Sequence, residues 1–157
     1  MAAELFVWLA PAAEDAAVLG KQIERSATLL GSPTFPPHVT ICSEPAVTKL
    51  AAVGSLSELP LSITFTALRF GHDYFHGCYL EAAEDAPLRN LQARCVATLG
   101  GTVPGDYPPH LSIAYGVLTD DQRAATVPLV ELPITITFDR LELWTSDGPV
   151  SSWRKLA

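Results

Sequence analysis

At 157 residues, 48% of them hydrophobic and 17% charged, the chain is the length of one ordinary domain and too apolar to remain disordered. Ten Lys plus Arg against 17 Asp plus Glu leave a formal charge of −7 with no basic run, which excludes a broad grip on a nucleic-acid backbone but not a small anionic ligand in one cleft. The first residues lack a basic start followed by a long apolar stretch, no 18-residue apolar span follows, and Cys42, Cys78 and Cys95 form no even set or CxxC pair; a cytoplasmic, monomeric protein with reduced thiols, no structural zinc and no membrane contact is expected.

Along the chain, alternation and breaker residues predict strand 4–9, helix 13–30, strand 38–43, helix 46–57 and strand 61–70. The same order then begins again: strand 75–82, helix 84–99, strand 110–115, helix 120–129 and strand 134–145, with a last short strand near 150–156. Two sequence matches support a duplication. Pro36-Pro37-His38-Val39-Thr40-Ile41 returns as Pro108-Pro109-His110-Leu111-Ser112-Ile113, an offset of 110 − 38 = 72, and Glu58-Leu59-Pro60-Leu61-Ser62-Ile63-Thr64-Phe65 returns as Glu131-Leu132-Pro133-Ile134-Thr135-Ile136-Thr137-Phe138, an offset of 73. The expected fold is α+β: a single domain over 1–157 built as two lobes (4–70 and 75–145), each a β-α-β-α-β unit, with two antiparallel-type sheets around a central cleft and helices on the outer faces.

Side chains alternate along a strand, so His38, Thr40 and Cys42 share one face and Val39 and Ile41 the other; His110 and Ser112 repeat the pattern opposite Leu111 and Ile113. The prolines before each histidine fix φ and remove backbone donors, which holds the imidazole in a defined direction. Two histidines, whose ordinary pKa of about 6.5 allows either role near neutrality, can act as base and acid in opening a cyclic phosphate. Thr40 and Ser112 can donate to the non-bridging oxygens, and no metal or cofactor is needed.

Other residues invite functional readings but have plainer ones. Gly71-His72-Asp73-Tyr74-Phe75-His76-Gly77 fits a loop between strands better than a metal site, because the ligand spacing matches no zinc pattern. Trp144 and Trp153 read as packing residues, and nothing near Cys42 in sequence lowers its pKa. Gly100-Gly101 and Gly105 do not form a phosphate-cradling strand-to-helix loop.

Pro37-His38-Val39-Thr40 and Pro109-His110-Leu111-Ser112 resemble the paired His-x-Thr/Ser signatures of the 2H phosphoesterase superfamily. Phe6-Val7-Trp8-Leu9-Ala10-Pro11, Tyr107-Pro108-Pro109-His110-Leu111-Ser112-Ile113-Ala114-Tyr115 and Ser152-Trp153-Arg154-Lys155 extend the resemblance to its cyclic phosphodiesterase branch. The resemblance implies a bilobal fold and metal-independent hydrolysis of nucleoside 2′,3′-cyclic phosphates, or of ADP-ribose 1″,2″-cyclic phosphate, by His38, Thr40, His110 and Ser112. By analogy His110 is the base, His38 the acid, and the 2′-phosphate the product. It also implies an aromatic wall for the nucleoside at Trp8 and Tyr115, with Phe75 bordering the pocket or packing in the core. Strict alternation puts Tyr115 on the face opposite His110, so that a bulge or a strand end is required there. Two other functions stay open: a phosphodiesterase for RNA ends or 2′-5′ oligonucleotides, and a nucleotide-binding module without turnover.

Overall fold

The computed structural model describes residues 4–53, 58–83, 86–103, 108–146 and 148–157. Strand β1 (Glu4–Pro11) leads into helix α1 (Ala13–Leu30), β2 (Val39–Ser43) and β3 (Leu61–Arg69). The second half runs through β4 (Cys78–Ala82), α2 (Ala86–Leu99), β5 (His110–Ala114), α3 (Asp120–Thr126) and β6 (Ile134–Ser146), and β7 (Arg154–Lys155) ends the chain. Among the described residues no helix is long and apolar enough to cross a membrane.

The helices follow from local chemistry. In α1, Leu19, Ile23, Ser26 and Ala27 are buried at the spacing of one helical stripe, and Gly31 ends the helix at φ 66°, donating its N–H to the Ala27 carbonyl. In α2 the buried stripe is Leu88, Leu91, Cys95 and Leu99. A capping box opens α3: Gln122 N donates to Thr119 Oγ1 and Thr119 N to Gln122 Oε1. The helix expected over 46–57 does not form in its described part, which holds only a 3-10 turn at Leu50–Val53, with Val53 buried and Leu50 packed on the core. Its last positions, 54–57, lie outside the described residues. A 3-10 turn at Tyr74–His76 replaces the start of the strand expected from 75, and another at Val150–Ser152 leaves β7 two residues long.

All pairings are antiparallel, and they close a ring in the order β1-β2-β5-β4-β3-β6-β1, with β7 added to β6. Each half contributes three strands, but the third strand of each crosses over, β3 pairing with β4 and β6 with β1, so one closed sheet mixing both halves replaces the two separate sheets expected from the sequence; its two three-stranded runs, β2-β1-β6 and β5-β4-β3, meet at two places. One is the β3–β6 ladder, centred on Ile63↔Ile136; the other is the single pair Val39↔Leu111 between β2 and β5. Both junctions map onto themselves under the repeat, since 136 − 63 = 73 and 111 − 39 = 72, so a pseudo-two-fold axis passes through both. The side chains obey it: Ser62 bonds Thr137 and Thr64 bonds Thr135, each at 2.9 Å, while Phe65 and Phe138 meet edge to face at 6.4 Å. Both phenylalanines are fully buried, and each such burial contributes about 1.5–3 kcal/mol.

Helix α1 packs on β5 and α2 on β2, so each half is covered by the other half's helix, and the buried core runs continuously across the two. The helices thus take one face of the ring. The opposite face is left for a cleft.

Candidate active site

A cleft of about 240 Å³ is lined by residues from both halves, among them Trp8, His38, Thr40, His110, Ser112 and Tyr115. All four residues of the paired signatures, and the three expected aromatics with Phe75, therefore border one space.

The imidazoles are fixed alike. His38 Nδ1 donates to the Pro36 carbonyl at 2.7 Å, and His110 Nδ1 donates to the Pro108 carbonyl at 3.0 Å. A carbonyl can only accept, so the Nδ1 proton is assigned in both rings, and in the neutral tautomer Nε2 carries the lone pair. The Pro-Pro-His run thus supplies both the stiff approach and the acceptor that orients the ring.

Beneath each histidine lies an aromatic ring from the neighbouring strand. Trp8 stacks on His38 with ring centroids 3.6 Å apart and planes 10° from parallel; Tyr79 lies 4.9 Å from His110 at 59°. These are equivalent positions, since Trp8 pairs in register with Thr40 and Tyr79 with Ser112. Trp8 stacks in turn on Trp144 at 4.6 Å. Glu142 anchors that stack, accepting from Trp144 Nε1, Arg140 Nε and Lys155 Nζ, each at 3.0 Å. Burial alone would raise the Glu142 carboxyl, but the hydrogen bonds from Trp144, Lys155 and Arg140 outweigh it and hold the pKa below the usual range.

Burial pushes the His38 pKa down to about 4; the Pro36 carbonyl and Glu142 oppose the shift, and a charge on His110 adds to it. His110 is lowered too, mainly by burial and secondarily by His76, while the Pro108 carbonyl, Asp73 and Glu81 pull it back. Both rings are therefore neutral in the free cleft at pH 7, and His38 is the harder to protonate.

Two matching bulges set the parity of the site. Val7 pairs with Cys42 and Trp8 with Thr40, so Ile41 is an extra residue on β2; Cys78 pairs with Ala114 and Tyr79 with Ser112, so Ile113 is extra on β5. A bulge puts two successive residues on one side. Ile41 with Cys42, and Ile113 with Ala114, accordingly enter the core, while Ser43 and Tyr115 return to the cleft. This answers the Tyr115 difficulty with the bulge that strict alternation demanded. It also corrects the placement of Cys42, which lies in the core, where burial raises its thiol pKa.

The aromatics divide into two groups. Trp8 is 3% exposed and already stacked on His38 and Trp144, so its ring supports the histidine rather than offering an open face. Tyr115 is buried, stacked on Phe35 at 4.0 Å, with its phenol hydrogen-bonded to Ser112; burial raises its pKa. Phe75 is 48% exposed at the rim, nearly parallel to Trp153 at 6.3 Å and edge-on to Tyr115 at 5.2 Å.

Trp153 and His76, both read as non-functional from the sequence, line the cleft. The closing Ser-Trp-Arg-Lys segment contained the signal for Trp153. Nothing local signals His76, whose neighbour His110 is 34 residues away (110 − 76). Among the described residues, no group of three or more His, Cys, Asp or Glu is arranged to hold a metal ion.

Two related halves that bring a His-x-Thr and a His-x-Ser strand together across one cleft define a 2H phosphoesterase. Residues 46–149 match the model of the 2′-5′ RNA ligase superfamily, and the chain belongs to that superfamily, whose chemistry is the hydrolysis or ligation of phosphodiesters. The matched segment contains the second signature; the first, at 38–40, lies just upstream. No curated protein matches the chain.

Proposed function

We propose that the protein hydrolyses the cyclic phosphate of a small nucleotide, a nucleoside 2′,3′-cyclic phosphate to its 2′-monoester or ADP-ribose 1″,2″-cyclic phosphate to its 1″-monoester. The carrying observation is the matched pair of imidazoles, each fixed through Nδ1 by a prolyl carbonyl and each followed by a hydroxyl, facing one cleft. Their electrostatic order supports a division of labour. His38, the harder to protonate, takes a proton from water at Nε2 as the water oxygen bonds to phosphorus; His110, protonated at both nitrogens, gives its Nε2 proton to the ribose oxygen as the P–O bond breaks. One water is consumed, and before the next turn His38 loses its gained proton to solvent while His110 takes one back. These roles reverse those that family analogy suggests. Thr40 and Ser112 donate to the non-bridging oxygens, where charge grows in the transition state. The nucleoside rests on Phe75 and Trp153, with Tyr115 closing the inner end.

Hydrolysis is favoured over ligation and over RNA ends because, among the described residues, no Lys or Arg lines the cleft and the chain carries −7 overall, a poor setting for holding two polynucleotide termini. A monomer acting on a small cyclic nucleotide needs no cationic track. The test is incubation, with EDTA present, with each nucleoside 2′,3′-cyclic phosphate and with ADP-ribose 1″,2″-cyclic phosphate, products being identified by phosphorus NMR. Opening to one monoester supports the proposal and fixes the regiochemistry; tight binding with no product from any substrate would make the protein a sensor instead.

A further inference from the structure

Three of the chain's four histidines line the cleft, and the repeated signatures account for two. The third, His76, breaks the pseudo-symmetry. The β1–β4 offset is 79 − 8 = 71, which makes Leu5 its counterpart (76 − 71), so one end of the cleft carries an extra imidazole and the other has Glu4 at its edge.

The placement of His76 is enforced from several directions. Asp73 Oδ1 accepts from the His76 backbone N–H at 3.1 Å and from its ring Nδ1 at 2.7 Å. Gly71 N donates to the His76 carbonyl at 2.7 Å, an approach so close that a Cβ on Gly71 would sit 2.4 Å from that oxygen. Gly116 N donates to the Tyr74 carbonyl at 2.7 Å, and a Cβ on Gly77 would meet the Gly116 oxygen at 2.2 Å. The turn is thereby clamped against the residue that follows Tyr115, with the His76 ring 5.0 Å from His110 and 6.1 Å from Tyr79. The backbone bond to Asp73 would by itself cap the turn. The ring bond additionally holds the imidazole toward the cleft and fixes Nδ1, leaving Nε2 as the atom that points away from Asp73.

We propose that His76 is a third phosphate-contacting residue: with Nδ1 held by Asp73, its Nε2–H donates to a non-bridging oxygen of the phosphate at the His110 end of the cleft. The proposal rests on the hydrolase reading for the identity of the ligand and adds a binding group to it. The charge balance favours such a group. A cyclic phosphate carries one negative charge, whereas a monoester gains a second with a pKa near 6. Among the described residues no Lys or Arg lines the cleft, so its imidazoles are the side chains there that can carry a positive charge.

Adenosine 2′-monophosphate and inorganic phosphate, titrated calorimetrically between pH 6 and 8, test this with His76→Gln, His76→Lys and Asp73→Asn. His76→Gln should weaken both ligands at pH 6 by about tenfold or more, the loss of one charge-assisted hydrogen bond, and raise KM for the cyclic phosphate more than it lowers kcat. His76→Lys, a lasting cation, should keep the affinity and flatten its decline toward pH 8; Asp73→Asn should fall between wild type and His76→Gln. Asp73, His110, Tyr79 and Tyr74 face this ring, Glu81 lies beside His110, and His38 shares the ligand; because His76 also acts on His110, His76→Lys, which keeps a positive charge at that place, is the control that separates loss of the His76 contact from a change at His110. Unchanged phosphate affinity and pH dependence in His76→Gln, or no phosphate binding by the wild type, would overturn the proposal. Turnover of cyclic phosphate with unaltered binding in His76→Gln sinks this inference alone, while His76-dependent phosphate binding without turnover sinks the hydrolase reading alone.

Discussion

Keeping His38 neutral has a consequence for folding that can be measured without substrate. Its pKa is 6.5 in an unfolded chain and about 4 in the fold, a depression of about 2.5 units produced by burial. Because the folded value is the lower one, the unfolded chain binds more protons between those limits, and stability falls as pH drops from 6.5 toward 4. At about 1.36 kcal/mol per unit, this histidine accounts for a loss of about 3 kcal/mol across the window. The ring is buried, so little of this is screened by solvent. His38→Asn should remove the effect, since its amide can take the place of Nδ1 in donating to the Pro36 carbonyl but carries no titrating proton. The assay is urea unfolding at half-unit steps from pH 4 to 7, plotting the difference in unfolding free energy between wild type and variant. His110 and Glu142 titrate in both proteins and largely cancel. The difference should change by about 3 kcal/mol in favour of the variant as pH falls; parallel curves would refute the argument that burial sets the protonation of His38.

Replacing either motif histidine by Asn should lower kcat by about 10²–10⁴, and Thr40→Val or Ser112→Ala by about 10²–10³, with circular dichroism unchanged. Initial rates with a nucleoside 2′,3′-cyclic phosphate measure both. For the unmodified enzyme, kcat/KM should decline as pH rises beyond 6.5, because His110 has a depressed pKa and has lost its acidic proton there; the acid limb should lie near 4, set by His38. A plateau reaching pH 8 would contradict the assignment of acid and base. Gly77→Ala should destabilise the fold by about 1–3 kcal/mol and raise KM, since the new methyl must push the Gly116 backbone away from the turn carrying Phe75 and His76. Thermal melts and steady-state kinetics together check that coupling.

Much of this was legible in the sequence because duplication writes each feature twice. The Pro-Pro-His-x-Thr/Ser runs named four residues that line one cleft, and the offsets of 72 and 73 are those of the residues that meet on the axis, Val39 with Leu111 and Ile63 with Ile136. Alternation failed at Ile41 and Ile113, because one inserted residue reverses the parity of everything after it. That is why Cys42 was placed in the cleft and Ser43 was overlooked. Residues 46–53 carry helix-forming side chains, yet one 3-10 turn at Leu50–Val53 is enough to bury Val53 and pack Leu50 on the core. His76 was beyond reach for another reason: its role depends on a hairpin folding back beside a strand 34 positions later (110 − 76), held by glycine contacts that leave no periodic trace.

The ring of strands is fastened unequally around the axis. Under the two histidines the runs β2-β1-β6 and β5-β4-β3 share a single residue pair, Val39 with Leu111, whereas on the far side they share a five-residue ladder from Leu61↔Phe138 to Phe65↔Ile134. The ladder behaves as the pivot of a pair of tongs and the histidines ride on the jaws. A change of side-chain volume at Ile63 or Ile136 is therefore expected to alter the gap between the imidazoles, two groups that it never touches.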